Sequence, residues 1–569
     1  MRRLGSTWTY TPDTSVRKPW TGIRDARFSS DRKLGGRGVS RLVAGVMLFA
    51  VAAVAVPTAS PTVALLSPEV ERWGIQEVSL ESARKYANPF ADVQVKGRFR
   101  SGDTELVVDG FYDGNRTWKV RVMPTVEGPW TFEITSNDPE LDGQRGAFEC
   151  RSPQPGNHGP VTVRNTYHLS YADSTPYFPL GTTLYNWVHR SSELQERTLA
   201  TLKAAPFNKV RMCVFPKWYP FNRVEPPRYP FAQAGDGTFD LDRFNPDYFG
   251  HIEERVADLQ ALGIEADVII FHPYDRWGFS SMGRAQDDAY LRYLIARLGA
   301  YRNVWWELAS EHDLITPPKD WDHVFEMVDK LDPYDHLRSI HNWRSWYDYS
   351  KPLVTHLKLQ QQSDDHHAAV VNARYKYRKP VVIDELGYEG NNGHGWGMLT
   401  GPEAVARQWR VAIGGGYASH GETYVHRGEV LWWSHGGELV GESPERLAFL
   451  KKIMMEAPFQ EMEPVLMDIW TPGALGLAKP GEHYLFYFDG GQRPRRIELD
   501  LPGPGSYRVD LIDPWLMEVH PLGAVDAGSQ FFTAAFVPSL LRIVKLGEDA
   551  RSGPRGTLEK LMEDWSSGQ

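Results

Sequence analysis

A short apolar run ends in a carboxylate and a glycine at Pro380-Val381-Val382-Ile383-Asp384-Glu385-Leu386-Gly387. The stretch Asn303-Val304-Trp305-Trp306-Glu307-Leu308-Ala309-Ser310-Glu311 has the same design. Both stretches are predicted to be buried strands, because their apolar residues run continuously instead of alternating with polar ones. A carboxylate just past a buried strand is costly unless it is paired or has a chemical role. The two stretches therefore predict an active site built on two carboxylates, Glu311 and Glu385.

Strand-like and helix-like segments alternate on both sides of these two stretches. We predict eight apolar strands, at residues 177–184, 210–215, 264–271, 304–308, 336–341, 356–361, 381–384 and 417–424. Eight strand–helix units over about 280 residues match a (β/α)8 barrel, which typically takes about 250 residues. The sequence therefore predicts an α/β fold with a (β/α)8 TIM barrel at residues 160–458.

Short strands separated by turn residues lie on either side of the predicted barrel. Examples are Trp118-Lys119-Val120-Arg121-Val122 before it and Tyr484-Leu485-Phe486-Tyr487-Phe488 after it. Such spacing is typical of β-sandwich domains. We predict an N-terminal β-sandwich at residues 69–150, a C-terminal β-sandwich at 463–546 and a disordered tail at 547–569.

The N-terminal residues resemble an export signal. A basic leader at residues 1–41 precedes an apolar segment at 42–66 that contains an unbroken run of apolar and small residues. This run is short for a membrane-spanning helix, and the leader is long for a standard signal peptide. Three interpretations follow: a cleaved signal whose true start lies downstream, a membrane anchor, or a leader without function on a cytoplasmic enzyme. We expect an exported protein, secreted or anchored through 42–66, with an extracytoplasmic catalytic domain.

Composition excludes some classes of function. A net charge of −9 argues against a nucleic-acid-binding protein, which needs a basic face. The 20 tryptophans suit the flat apolar faces of sugars. The only cysteines, Cys150 and Cys213, are expected to be unpaired thiols. We find no metal-binding or redox cysteine motif, expect neither a metal nor a cofactor, and derive no oligomeric state.

The chemistry follows from the position of the two glutamates in the predicted barrel. Active sites of this fold lie at the C-terminal ends of the strands. Strands four and seven lie across the barrel mouth, so Glu311 and Glu385 can converge. Hydrolysis of a glycosidic bond with retention needs two carboxyls about 5–5.5 Å apart, one as acid and one as nucleophile. The acid must keep its proton near neutrality, and Trp305 and Trp306 offer apolar surroundings for that.

Several segments resemble the apiosidase-like barrel families of the clan-A retaining glycoside hydrolases. They are residues 306–313 and 382–387, the strand with Gly181-Thr182-Thr183, and the turn Gly415-Gly416-Tyr417-Ala418-Ser419-His420-Gly421. The order of domains is similar to that of a subgroup with an immunoglobulin-like domain before the barrel. The resemblance covers roughly residues 70–546. It implies that Glu311 is the acid/base, that Glu385 is the nucleophile, and that Arg211 orients the nucleophile.

Two positions depart from the pattern of the clan. The clan usually has an asparagine before the acid/base, where it touches the sugar 2-hydroxyl, and this chain has Ser310. The clan often carries tyrosine or histidine after strand six, where this chain has Gln360 and Gln361. These departures put the corresponding substrate contacts in question.

Further candidates for sugar binding follow the predicted strands. The aromatic candidates for stacking are Trp187, Trp218, Tyr274, Trp277, Trp343, Trp396 and Trp433. The polar candidates are His272, Ser310, His341, Asn342 and Gln361. For each aromatic residue, packing in the core is at least as plausible as stacking on a sugar. Glu307 is interpreted as a residue of the barrel wall.

These observations predict a glycoside hydrolase that cleaves an oligo- or polysaccharide by retaining double displacement. One alternative is a non-catalytic carbohydrate-binding or cell-surface protein on a barrel scaffold. Another is a metal-dependent barrel hydrolase, because barrels host many reactions.

Overall fold

The structure is a computed structural model that describes residues 64–425, 431–465, 474–488, 497–532, 538–547 and 555–567. The predicted leader at 1–41 and most of the apolar segment at 42–66 lie outside these residues. Within the described ranges, none of the helices is both long enough and apolar enough to cross a membrane.

The N-terminal domain is a sandwich of two sheets, as the sequence predicts. One sheet contains, in bonded order, Ala64–Leu65, Gln76–Glu81, Thr117–Val122 and Phe111–Tyr112; the other contains Glu69–Glu71, Arg145–Arg151, Gly128–Ser136, Val95–Ser101 and Thr104–Asp109. A short helix, Pro89–Asp92, is capped by Asn88. Apolar and polar residues alternate in the third strand of the first sheet, which places Trp118, Val120 and Val122 in the sandwich core.

Arg121 lies on the opposite face of the same strand and fastens the sandwich to the barrel. Its guanidinium pairs with Glu77 at 2.6 Å and with Glu253 of a barrel helix at 2.8 Å. It also donates to the Arg297 carbonyl oxygen at 2.9 Å. The alternation of the strand therefore builds a core on one face and an ionic domain contact on the other.

The central domain is a nearly closed eight-stranded parallel barrel, which confirms the predicted fold. Barrel strands one to eight are Leu180–Thr183, Lys209–Cys213, Glu265–Phe271, Val304–Ala309, Arg338–Ser339, Leu357–Gln360, Val381–Glu385 and Tyr417–His420. Strands five and six close the barrel through a bridge between His341 and Lys358 and a hydrogen bond from Thr355 N–H to the Arg338 carbonyl oxygen at 3.0 Å.

Helices surround the barrel, and short elements decorate its loops. The helices are Ser192–Ala204, Pro246–Ala261, Arg284–Leu298, Trp321–Leu331, His366–Tyr377, Gly401–Ile413, Trp432–His435 and Ser443–Glu456. The 3-10 turns are Trp187–His189, Phe279–Ser281, His312–Leu314, Gly395–Gly397 and Phe459–Glu461. The additional strands are Val161–Arg164, His168–Tyr171, Pro176–Tyr177, Phe231–Gln233, Phe239–Phe244, Glu389–Gly390 and Glu422–Thr423.

The described strands of the C-terminal domain form one antiparallel sheet rather than two stacked sheets. In bonded order they are Glu463–Val465, Ala474–Lys479, His483–Phe488, Ser539–Lys545, Ile497–Asp513 and Glu518–Phe532. Leu485 and Tyr487 pack on the barrel core, whereas Tyr484, Phe486 and Phe488 face a second core. Because the barrel covers one face, the sheet needs no second sheet on that side.

The C-terminal tail differs from the prediction of disorder. Leu558–Ser567 form a helix whose side chains Leu558, Leu561 and Met562 are buried in the second core. These residues recur at helical spacing and cover the face of the sheet opposite the barrel. Because polar residues lie between these apolar ones, the helical pattern is not evident in the sequence. Cys150 and Cys213 are both free, as predicted, and both are buried.

Candidate active site

The two predicted carboxylates lie at the C-terminal ends of their strands. Glu385 is the last residue of barrel strand seven, and Glu311 follows strand four by two residues. Each is only 6% exposed. Glu311 adopts the left-handed backbone conformation, with φ +50° and ψ +54°. A non-glycine residue in this region costs about 1–3 kcal/mol, and such strain concentrates at functional sites.

Glu385 is held by an arginine and a tyrosine. Arg211 donates from Nη1 to Glu385 Oε1 at 2.7 Å, and the Tyr185 hydroxyl donates to the same oxygen. Burial alone would raise the pKa of Glu385, but Arg211, Lys217 and the Tyr185 hydrogen bond favour its ionised form and lower the pKa. Glu385 is therefore an ionised carboxylate at neutral pH, as a nucleophile requires.

Arg211 uses all of its donors inside the site. It forms a two-pronged pair with Glu307, at 2.7 Å from Nε and 2.6 Å from Nη2. Its remaining N–H groups reach Ser310 Oγ at 3.0 Å, Tyr185 Oη at 2.8 Å and Glu385. The fixed fork of the guanidinium thus sets the position of Glu385.

Glu311 has the opposite electrostatic environment. Burial and the nearby charge of Glu385 raise its pKa to about 7, although Lys217 and Tyr274 act in the other direction. In the described residues, its Oε2 atom is buried without a hydrogen-bond partner. Its Oε1 atom lies 3.3 Å from the side-chain amide nitrogen of Gln360, once that amide is oriented to satisfy its neighbours. Glu311 therefore keeps a proton near neutrality and has one oxygen open to a ligand.

His341 lies between the two glutamates. Its Nε2 atom is 3.9 Å from Glu385 Oε1 and is buried without a hydrogen-bond partner among the described residues. Burial and the neighbouring Arg211 place its pKa well below the usual value, so the ring is neutral. A neutral ring nitrogen with no partner can bond a sugar hydroxyl.

A set of charges joined by ion pairs lies beneath the two glutamates, and we call it the barrel network. It consists of the carboxylates Asp267, Glu307 and Asp384 and the cations Lys209, Arg211 and Lys358. The three carboxylates lie close enough together to ligate a metal ion, but the three cations already pair with them. Charges of opposite sign and equal number thus fill the polar centre of the barrel.

An aromatic cluster surrounds the mouth of the barrel beside the glutamates. Its buried members are Tyr185, Tyr219, Tyr388 and Trp433, and its half-buried members are Phe221, Tyr274 and Trp396. The predicted candidates Tyr274, Trp396 and Trp433 therefore lie together. Trp218 and Trp277 contact each other edge to face, with their ring centroids 6.0 Å apart, and Arg276 stacks on Trp218.

Several predicted sugar contacts are structural residues instead. Trp187 is fully buried in the main core. His272 is fully buried, with Nε2 bonded to the Phe215 carbonyl oxygen and Nδ1 accepting from Tyr274 N–H. Gln361 bonds Ser363 and Asp365 at the start of a helix. Burial or hydrogen bonds to neighbouring groups already occupy these three side chains, so the structure does not support a sugar contact for them.

Two polar candidates have partners that limit their role. Asn342 is 1% exposed, and its Oδ1 atom accepts from Gln360 N–H at 3.2 Å. It thereby supports the amide that faces Glu311. Ser310 is fully buried and accepts from Arg211, so this hydroxyl contacts the arginine of the site.

This geometry agrees with what the sequence matches among known families. Residues 163–460, just over half of the chain, match the model of the apiosidase-like catalytic domain. The chain belongs to the apiosidase-like family. Residues 69–137 and 470–532 of this apiosidase-like protein match two domains of unknown function, DUF5060 and DUF5605. The chain matches no curated protein.

Solved structures add to the family assignment. A protein from Bacteroides vulgatus ATCC 8482 that is assigned to the glycoside hydrolases is 35% identical, with a TM-score of 0.77 over 84% of this chain and 100% of that one. A family 5 glycoside hydrolase from the same organism is 16% identical, with a TM-score of 0.56 over 73% of this chain and 100% of that one. The second likeness concerns the fold alone. The apiosidase-like protein is a glycoside hydrolase, and its substrate is a carbohydrate.

Sequence reasoning missed two residues of this apiosidase-like site. Tyr185 follows barrel strand one by two residues and bonds Glu385. Lys217 is 2% exposed and affects the pKa of both glutamates. The signal for Lys217 is a single cation within the aromatic run Phe215-Pro216-Lys217-Trp218-Tyr219.

Proposed function

We propose that the apiosidase-like chain hydrolyses glycosidic bonds with retention of anomeric configuration. The observation that carries the proposal is that the pKa values of two neighbouring buried carboxyls are shifted in opposite directions. The pKa of Glu311 is raised to about 7, and that of Glu385 is lowered. Paired groups whose pKa values are driven apart divide the roles of acid and nucleophile.

The proposed reaction has two steps. In the first, Glu385 forms a bond to the anomeric carbon while the bond to the leaving oxygen breaks, and that oxygen takes the proton of Glu311. In the second, ionised Glu311 removes a proton from water, whose oxygen attacks the anomeric carbon and releases Glu385. Arg211 and Tyr185 hold Glu385 Oε1 in place through both steps.

We also propose an extended substrate, because a platform lies beside the acid. Trp343 and Trp346, in the loop after barrel strand five, are 36% and 37% exposed. Asp313, two residues after Glu311, accepts from the N–H groups of Trp343, Arg344 and Ser345 at 2.7, 2.9 and 2.8 Å. Arg344 covers one face of the Trp343 ring, at 3.9 Å from the ring centroid, and the exposed parts of the two indoles are the proposed contacts for a further sugar.

Replacement of the nucleophile tests the proposed mechanism. We expect Glu385→Ala to lower turnover by about 10⁴–10⁶-fold, as loss of a nucleophile does elsewhere. Sodium azide should restore product formation as a glycosyl azide of inverted configuration. The matched control is Glu265→Gln, which alters a buried carboxyl at the N-terminal end of barrel strand three. Wild-type turnover in Glu385→Ala would refute the assignment, and absence of turnover in the wild type would favour the non-catalytic alternative.

We further propose that the protein is exported. The support is the basic leader at 1–41 followed by the apolar segment at 42–66. Fractionation of the source cells should place the full-length or processed chain outside the cytoplasm, and recovery in the cytoplasm alone would refute export.

A further inference from the structure

Three lysines are fully buried in the described residues, and they differ in their partners. Lys209 and Lys358 each pair with two or more carboxylates of the barrel network. Lys217 is just as buried, at 2% exposure, but its ammonium makes no hydrogen bond or ion pair within the described part of the chain. A buried cation without a counter-ion is strongly unfavourable. The Lys217 ammonium therefore lacks the direct partner that a bound anion would supply.

Aromatic rings enclose the Lys217 ammonium. Its Nζ atom lies 3.4, 4.4, 4.9 and 5.8 Å from the ring centroids of Tyr185, Tyr274, Tyr219 and Trp433. The negative faces of such rings stabilise a cation in part. They also keep bulk water away, so that any charge pair formed there lies in a medium of low dielectric constant.

The backbone around Lys217 is fixed from several loops. Its N–H donates to Asn186 Oδ1 at 2.7 Å, and its carbonyl oxygen accepts from Asn222 Nδ2 at 2.7 Å. The next residue, Trp218, donates its N–H to the Tyr274 carbonyl oxygen at 2.7 Å. The loops after barrel strands one, two and three thus hold the lysine in place.

Two rings of the enclosure connect the ammonium to the two glutamates. Tyr185, whose ring is nearest to Nζ, donates its hydroxyl to Glu385. Tyr274, another ring of the enclosure, acts on the pKa of Glu311. Burial lowers the pKa of Lys217, while the charges of Glu311 and Glu385 oppose that shift.

We propose that Lys217 binds the carboxylate of a uronic acid in the sugar ring that Glu385 attacks, an inference that rests on the proposed glycosidase mechanism. A carboxylate supplies both an ion-pair partner and the hydrogen-bond acceptors that the ammonium lacks. A neutral hydroxyl group would supply an acceptor but no ion pair. The site therefore discriminates uronides from the matching neutral hexosides.

Paired substrates test this inference. The pairs are 4-nitrophenyl glucuronide with glucoside and 4-nitrophenyl galacturonide with galactoside, each in both anomeric forms. We expect kcat/KM of the wild type to favour the uronide of at least one pair by about 10²-fold, and Lys217→Met to lower that ratio by about 10²-fold. The control is Lys451→Met, which alters a half-buried lysine on Ser443–Glu456 and should keep the wild-type ratio.

Binding separates failure of the inference from failure of the mechanism. D-glucuronate or D-galacturonate should raise the Tm of the wild type more than D-glucose or D-galactose, and Lys217→Met should remove the difference. Turnover of hexosides without a preference for uronides would overturn the inference and leave the glycosidase intact. If no pair is turned over, binding decides: equal Tm shifts from acidic and neutral sugars would overturn the inference.

Discussion

Two sets of buried charges lie in the same barrel, and they differ in how completely they are paired. In the barrel network, Lys209 pairs with two carboxylates and Lys358 pairs with three. Above it, Glu311 and Lys217 have groups with no hydrogen-bond or ion-pair partner among the described residues. Both sets are almost fully buried, so exposure alone does not separate them.

The difference shows which buried charges stabilise the fold and which remain available for chemistry. A buried charge that is paired and hydrogen-bonded belongs to the folded state, and removal of one partner leaves the other uncompensated. A buried charge without a partner keeps its binding capacity for a ligand. The barrel network thus belongs to the folded state. Glu311 and Lys217 keep groups for a ligand, and together with Glu385, whose Oε1 atom is held by Arg211 and Tyr185, they form what we call the working surface.

The largest expected effect on the comparison comes from Glu311→Gln. On glycosides with poor leaving groups, we expect kcat to fall by about 10²–10⁴-fold, the usual contribution of general acid–base catalysis. On aryl glycosides with acidic leaving groups, the rate of the first step should fall much less, because the departing oxygen of such a group needs no proton. A plot of log kcat/KM against leaving-group pKa measures the difference.

Glu422→Gln is the matched control for Glu311→Gln. Burial also raises the pKa of Glu422 to about 7, but this carboxylate accepts from the N–H groups of Val440 and Gly441. We expect its replacement to leave the slope of the leaving-group plot unchanged. An unchanged slope in Glu311→Gln would remove Glu311 from the role of acid.

The second effect concerns stability, and it compares the loss of unfolding free energy when either of two buried lysines is replaced. Lys358→Met should lower the free energy of unfolding by about 3–5 kcal/mol, because it leaves buried carboxylates with too few cations. Lys217→Met breaks no pair within the described residues and should cost less than about 1 kcal/mol. Urea unfolding of both variants measures the difference, and equal losses would contradict the division into paired and unpaired charges.

The sequence allowed the paired set to be recognised only in part. Single charges within apolar strands are visible, as at Lys209 and Arg211 in barrel strand two or Asp384 in strand seven. Which cation meets which carboxylate depends on the stagger of the strands, and short-range patterns do not carry that information. The sequence therefore predicted Glu307 as a wall residue without predicting its two-pronged pair with Arg211.

The working surface was predicted better at strand ends than in loops. Glu311 and Glu385 follow directly from apolar strands that end in a carboxylate. Beyond a strand end the side chains no longer alternate, so the direction of Trp187, His272 and Gln361 could not be deduced. Lys217 lies four residues past strand two, where only the folded loop brings its ammonium to the rings.

The third effect is a shift of the pH profile. The acid must be protonated, so kcat/KM should fall about tenfold per unit as the pH rises above about 7, the pKa of Glu311. Lys217 lowers that pKa, so Lys217→Met should move the alkaline limb of the kcat/KM profile to higher pH by about one unit. Profiles of kcat/KM between pH 4 and 10 measure the limb, and a shift to lower pH would contradict the assigned interaction.

The smallest effect comes from Tyr185→Phe, which removes a hydroxyl and keeps the ring beside Lys217. Glu385 loses one donor but keeps Arg211, so we expect kcat/KM to fall only about threefold to tenfold. The pKa of Glu385 should rise, and the acidic limb of the profile should move to higher pH. The control is Tyr248→Phe, whose hydroxyl bonds the Val214 carbonyl oxygen and no carboxylate. If both variants shift the acidic limb equally, the hydroxyl of Tyr185 acts through packing rather than through the charge of Glu385.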